Sequence, residues 1–218
     1  MKISVMHIGN SREPVVVMDG FVEAAPLVED AAARSFAANS PHYPGVRARA
    51  PVELLRTRGR MLADVAADVF GAGALSPVEW NYSLVTTPPE DLRPIQRLPH
   101  FDGLEAVLAL LVYLGAGGQG GTAFFRQRAT GIEAVERGNF AAYEAQLAPD
   151  VEAHGAGAGY RVGSDAAFER YAEFEAVPGR ALLYRGRSLH SGVIDAPERL
   201  SADARRGRLT LNGFFRPE

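Results

Sequence analysis

The apolar positions change texture about a third of the way along the chain. Within Lys2–Asp19 a short apolar run, Val15-Val16-Val17-Met18, predicts a strand. Leu27, Ala31 and Ala38 then recur among acidic and small residues, which predicts a helix over Pro26–Ala38, ended by Asn39-Ser40-Pro41. Tyr43-Pro44-Gly45 reads as a turn. A second helix is expected from Pro51 to Phe70, because Val52, Leu55, Leu62 and Val69 fall near one face, Pro51 suits a first helical turn and Gly71 supplies a stop. After Pro77 the runs become short and apolar or alternating: Trp80–Thr87, Ala106–Leu114, Thr122–Arg126, Ala181–Tyr184, Leu189–Ile194 and Arg208–Phe215. Gly and Pro punctuate them. Short strands without regularly alternating helices predict a barrel or sandwich and exclude a doubly wound sheet. One further helix is expected over Ile132–Leu147, carrying Val135, Phe140, Tyr143 and Leu147. The expected plan for residues 1–218 is one mainly β domain with flanking helices (α+β). It has N-terminal helices to about 75 and a β-rich core over 76–218 with a helical insertion near 132–147.

Composition narrows the chemistry. The chain has 218 residues, 47% apolar and 22% charged, an ordinary globular balance. It has no cysteine, so thiol nucleophiles, disulfides and cysteine-ligated zinc or iron–sulfur centres are excluded. A formal charge of −3, with Arg205-Arg206-Gly207-Arg208 as the densest basic cluster, gives no nucleic-acid footprint. The apolar run at Ala106–Leu114 is too short for a membrane span, and the first residues lack a secretion-signal core. A soluble cytoplasmic protein is expected, and the Ala-, Arg- and Gly-rich usage points to a bacterial source. Oligomeric state is not readable.

Gly115-Ala116-Gly117-Gly118-Gln119-Gly120 fits the G-x-G-x-x-G spacing of dinucleotide sites. Such a site needs a helix next, to aim its N-terminus at pyrophosphate. Gly121-Thr122-Ala123-Phe124-Phe125 favours a strand instead, so the motif reads as a glycine-rich turn between strands.

With no thiols, a metal site must draw on oxygen and imidazole donors. There are five histidines, and His100-Phe101-Asp102 forms an H-x-D pair whose side chains project to one side of an extended segment. His190, in Leu189-His190-Ser191-Gly192-Val193-Ile194, offers a third donor from a remote strand. Two imidazoles and one carboxylate form the facial triad of non-haem Fe(II) oxygenases, with open positions for cosubstrate and dioxygen. The bland alternatives are hydrogen-bonded core histidines. Downstream, Arg208 opens the alternating run Arg208-Leu209-Thr210-Leu211-Asn212. A buried guanidinium needs an anion, either a protein carboxylate or the distal carboxylate of 2-oxoglutarate held by its planar fork.

Five segments now appear in order: Gln96-Arg97-Leu98-Pro99-His100-Phe101-Asp102, Leu111-Val112-Tyr113-Leu114, Gly120-Gly121-Thr122-Ala123-Phe124-Phe125, His190-Ser191-Gly192 and Arg208-Leu209-Thr210-Leu211-Asn212. This set resembles the prolyl-hydroxylase-like branch of the 2-oxoglutarate/Fe(II)-dependent oxygenase superfamily. With Tyr43-Pro44-Gly45-Val46-Arg47 it is similar, more narrowly, to the DUF6445 family. The resemblance implies a double-stranded β-helix, or jelly roll, with the metal inside. It implies His100, Asp102 and His190 as Fe(II) ligands. It also implies Arg208 as the 2-oxoglutarate anchor, Tyr113 as a hydrogen-bond donor to the same carboxylate, and Thr122 as a pocket residue. Tyr113 could equally be a packed core aromatic.

The implied activity is that of a dioxygenase, a hydroxylase of an unidentified small-molecule or peptide substrate, releasing succinate and carbon dioxide. Desaturation or ring closure would share the scaffold. A cupin-like metal enzyme without 2-oxoglutarate and a non-catalytic jelly-roll binding module are the rivals. Gln96 and Arg97 read as solvated strand residues or substrate contacts. His154, in Glu152-Ala153-His154-Gly155, reads as a residue of a mobile loop.

Overall fold

The chain opens with two antiparallel strands, β1 (Lys2–Ile8) and β2 (Glu13–Asp19), followed by α1 (Ala24–Ala32), β3 (Gly45–Arg49), α2 (Glu53–Phe70) and β4 (Leu75–Val85). β5 (Leu108–Tyr113), β6 (Gly121–Gln127), α3 (Phe140–His154), β7 (Phe168–Glu175), β8 (Ala181–Arg185), β9 (His190–Val193) and β10 (Arg208–Pro217) complete it. This computed structural model describes residues 1–105, 107–115 and 120–217. The centre of the glycine-rich motif, residues 116–119, lies outside the described residues.

Two sheets result. The larger runs β1-β2-β8-β5-β10-β4-β3, and the smaller runs β7-β6-β9. The strands of both sheets pair antiparallel among the described residues. The architecture is therefore mainly β with flanking helices, as expected. β10 lies inside the larger sheet because its alternating residues serve two layers. Leu209 and Leu211 pack outward with Leu62 and Ala66 of α2 and Ala31 of α1. Arg208, Thr210 and Asn212 face the other way, into a cavity. β6 shows the same division. Phe124 joins Leu111, Tyr113, Leu182 and Tyr184 between the sheets, whereas Ala123 and Phe125 join Tyr143 of α3 and Phe168 on the far side. Burying each such Leu or Phe contributes about 1.5–3 kcal/mol, so α1, α2 and α3 seal the outer faces and leave the inner faces to the site.

Several boundaries differ from expectation. α1 stops at Ala32, six residues before the expected end at Ala38, because Ala37 bridges to Arg47 of β3. The N-terminal third is not purely helical, since β1, β2 and β3 all belong to the larger sheet. The helical insertion lies at Phe140–His154, not 132–147. Glu133, Ala134 and Val135 are instead extended, bonding the Arg187–Leu189 segment through Leu189 N–H to Glu133 O (2.8 Å) and Val135 N–H to Arg187 O (2.8 Å). His154 consequently ends α3 rather than occupying a loop. Gly71 caps α2 as expected, with a left-handed φ of 63°.

Candidate metal centre

Backbone pairing brings the two histidines together. His100 and His190 form an antiparallel bridge in which each N–H donates to the other's carbonyl, at 2.9 and 2.8 Å. The Asp102 N–H continues the pairing to Gly186 O at 2.7 Å. The H-x-D segment thus lies against the start of β9, and its alternation turns both side chains the same way. The imidazole centroids are 4.3 Å apart. His190 Nε2 lies 3.8 Å from Asp102 Oδ2, and His100 Nε2 lies 4.0 Å from Asp102 Oδ1. One donor atom from each of the three residues falls within 4.8 Å of the others. Residues so placed could meet one ion through the direct contacts of about 2.0–2.2 Å usual for such donors.

The surroundings suit a cation. His190 is buried between Phe124 and Tyr184, with ring centroids 6.1 and 5.0 Å away. Its Nδ1–H donates to Ser188 O at 2.8 Å, which fixes the tautomer and turns the Nε2 lone pair toward Asp102. Asp102 Oδ2 is buried with no hydrogen-bond partner among the described residues. Loss of hydration raises the Asp102 pKa above the ordinary carboxylate value, and nearby His190 opposes the rise. An unpartnered carboxylate oxygen in such a place is expensive unless a cation meets it. Gly186 makes the approach possible, since a Cβ there would stand 3.0 Å from the Asp102 Cβ and 3.1 Å from Oδ2. Although 55% of the His100 side chain is exposed, it lines the cavity, whose walls limit hydration. Desolvation, followed by the proximity of His190, lowers the His100 pKa well below the usual histidine value. Neutral imidazoles are the metal-binding form.

The cavity is about 770 Å³ and is lined by His100, Asp102, His190, Thr122 and Arg208 together. That volume suits a small-molecule ligand. Arg208 is 7% exposed, and its Nη2 donates to Gly121 O at 2.7 Å. Gly192 leaves it space, since a Cβ there would come 3.3 Å from that nitrogen. Tyr113 stands one layer back. It does not line the cavity, and its hydroxyl donates to Thr122 Oγ1 at 2.7 Å. Gln96 and Arg97 hold loops together. Gln96 Nε2 donates to Pro41 O and Tyr43 O, and Arg97 donates to Leu92 O and Gly157 O. His154 is absent from the cavity wall.

Arg47, Tyr160 and Tyr184 are among the wall residues that escaped the sequence reading as site residues. The Tyr43–Arg47 segment was a signal for the first. The Tyr160 hydroxyl donates to Thr87 O at 2.6 Å.

The model of the DUF6445 family, described as a family of unknown function, matches residues 1–215. The chain belongs to the DUF6445 family. No curated protein matches this family member. Its fold is similar to that of solved 2-oxoglutarate-dependent enzymes. With the non-heme alpha-ketoglutarate-dependent epimerase SnoN from nogalamycin biosynthesis it shares 14% identity at a TM-score of 0.54, covering 95% of this chain and 79% of the other. With a Pseudomonas putida prolyl-4-hydroxylase it shares 16% identity at 0.51, over 95% of both chains. With HygX from Streptomyces hygroscopicus, crystallised with nickel and 2-oxoglutarate, it shares 14% identity at 0.52, covering 93% and 82%. The fold of this DUF6445 protein is thus the double-stranded β-helix.

Proposed function

We propose that this protein is an Fe(II)- and 2-oxoglutarate-dependent oxygenase that hydroxylates a small-molecule or peptide substrate. The observation that supports this best is one cavity holding both a His-Asp-His cluster, with an unpartnered buried carboxylate oxygen, and a buried arginine. His100, Asp102 and His190 would hold the iron. When bound, iron and 2-oxoglutarate supply an oxidation that converts a substrate C–H bond to C–OH, consuming dioxygen and releasing succinate and carbon dioxide.

The chain's own part is positioning. The Ser188 carbonyl keeps His190 in the ligating tautomer. Arg208 would grip the distal carboxylate of the cosubstrate through charge-assisted bonds. Thr122 would stand beside it, its hydroxyl oriented by Tyr113 from behind. Phe124 and Tyr184 wall His190 from water.

Equilibrium dialysis with labelled 2-oxoglutarate, with and without Fe(II) under anaerobic conditions, tests the reading. Metal-dependent uptake is expected. Arg208→Lys, which keeps the charge but loses the fork, should weaken that uptake about tenfold or more. Uptake unchanged by Arg208→Lys would favour a metal enzyme without this cosubstrate. No metal-dependent uptake by the wild type would favour a binding module.

A further inference from the structure

The cavity holds a second cation close to the cluster. Arg47 lies on β3 opposite Ser83 of β4, and Ser83 lies opposite Thr210 of β10, so the three share one transverse row of the larger sheet. Arg47 and Thr210 both line the cavity. The arginine side chain is largely buried, at 16% exposure. Its guanidinium carbon stacks over the Tyr43 ring, 4.6 Å from the centroid. Nη1 donates to Glu79 Oε2 at 3.2 Å, while the buried Nε has no partner among the described residues. A guanidinium offers five donors in a rigid plane, and this one is braced by an aromatic face and only partly engaged.

The other two cavity arginines are differently placed. Arg208 is buried beside Gly121 and Gly192, and Arg216 is 60% exposed and paired with Glu105 at 3.1 Å. The same cavity carries apolar wall residues, Val78, Ile95, Phe101, Phe140 and Phe214. We propose that Arg47 is a specificity-determining residue that receives a carboxylate of the substrate, whose apolar body lies along this wall. The proposal rests on the oxygenase reading above for calling the ligand a substrate. A carboxylate fits better than a phosphate because Glu79, already on Nη1, repels a dianion more strongly than a monoanion.

The test uses the full chain saturated with Zn(II) and 2-oxoglutarate, so that Arg208 is engaged. The probes are N-acetylphenylalanine, its primary amide and phenyl phosphate, with affinities read by calorimetry. The acid should bind about tenfold or more tightly than the amide, one charge-assisted pair's worth, and more tightly than the phosphate. R47Q should erase the acid preference while leaving 2-oxoglutarate affinity within about twofold, and R47K should retain part of it. E79Q should enlarge the preference by removing a competing acceptor; a purely structural Arg47–Glu79 pair would instead lose it. Equal binding of acid and amide, binding of neither, a stronger phosphate, or a preference that survives R47Q overturns the proposal. If 2-oxoglutarate never binds but the Arg47-dependent acid preference stands, the oxygenase reading falls alone. If 2-oxoglutarate binds without that preference, the Arg47 proposal falls alone.

Discussion

Asp102→Asn should have opposite effects on stability with and without metal. In the fold the Asp102 side chain is 11% exposed, and its Oδ2 meets no donor among the described residues. Because burial raises its folded pKa, the folded state binds this proton more readily than the unfolded chain. Stability therefore falls as pH rises from the ordinary carboxylate value through the raised one, and the penalty is fully present above it. An unsatisfied buried polar group costs about 1–3 kcal/mol, and the uncharged amide relieves part of the excess due to charge. For a chain of this size each kcal/mol moves Tm by about 2–4 °C, so the variant should melt several degrees higher in chelator. Adding Fe(II) or Zn(II) at about 100 times its Kd stabilises the wild type by about 2.7 kcal/mol, whereas the variant should gain far less. The assay is thermal unfolding of both proteins at pH 8, in chelator and in metal. A variant that is less stable without metal, and equally stabilised by it, would refute the reasoning.

Two further outcomes are expected. Gly186→Ala places a methyl 3.0 Å from the Asp102 Cβ and should lower metal affinity at least about tenfold, read by competition with a chromophoric chelator, with little change in the circular dichroism spectrum. Tyr113→Phe removes the 2.7 Å bond to Thr122 and should cost about 1 kcal/mol of stability. It should change 2-oxoglutarate affinity less than about tenfold, by the dialysis assay, because Tyr113 lies behind the cavity wall.

The parts legible in the sequence were those whose burial leaves a mark on residue choice. β5 is buried at every position and reads as an apolar run, and β10 alternates between two layers. β1 and β7 were missed because most of their residues are exposed or half-buried, so neither apolar run nor clean alternation marks them. The helical insertion was expected over Ile132–Leu147, carrying Val135, Phe140, Tyr143 and Leu147. Val135 is instead buried in an extended segment, and the helix continues through Pro149 to His154. The donor set was legible because H-x-D is local and only one other histidine sits in a strong strand pattern. The geometry brings those candidates together, and the role of each remains part of the proposal. Arg47 and Tyr184 were not legible as neighbours of this cluster, because sheet register places them there and no local spacing encodes it.

The reciprocal backbone bridge between His100 and His190 also bears on how the site comes into being. Its two strand segments are far apart in sequence, so loop-closure entropy defers their pairing to a late stage of folding. Until the smaller sheet is assembled, the H-x-D pair can offer an ion only two of the three donors. If that pairing forms after the rate-limiting step, a metal held across the finished bridge would slow the opening of the native state and leave the rate of folding nearly unchanged. The ion would then act as a latch on the completed structure and not as a seed for its formation.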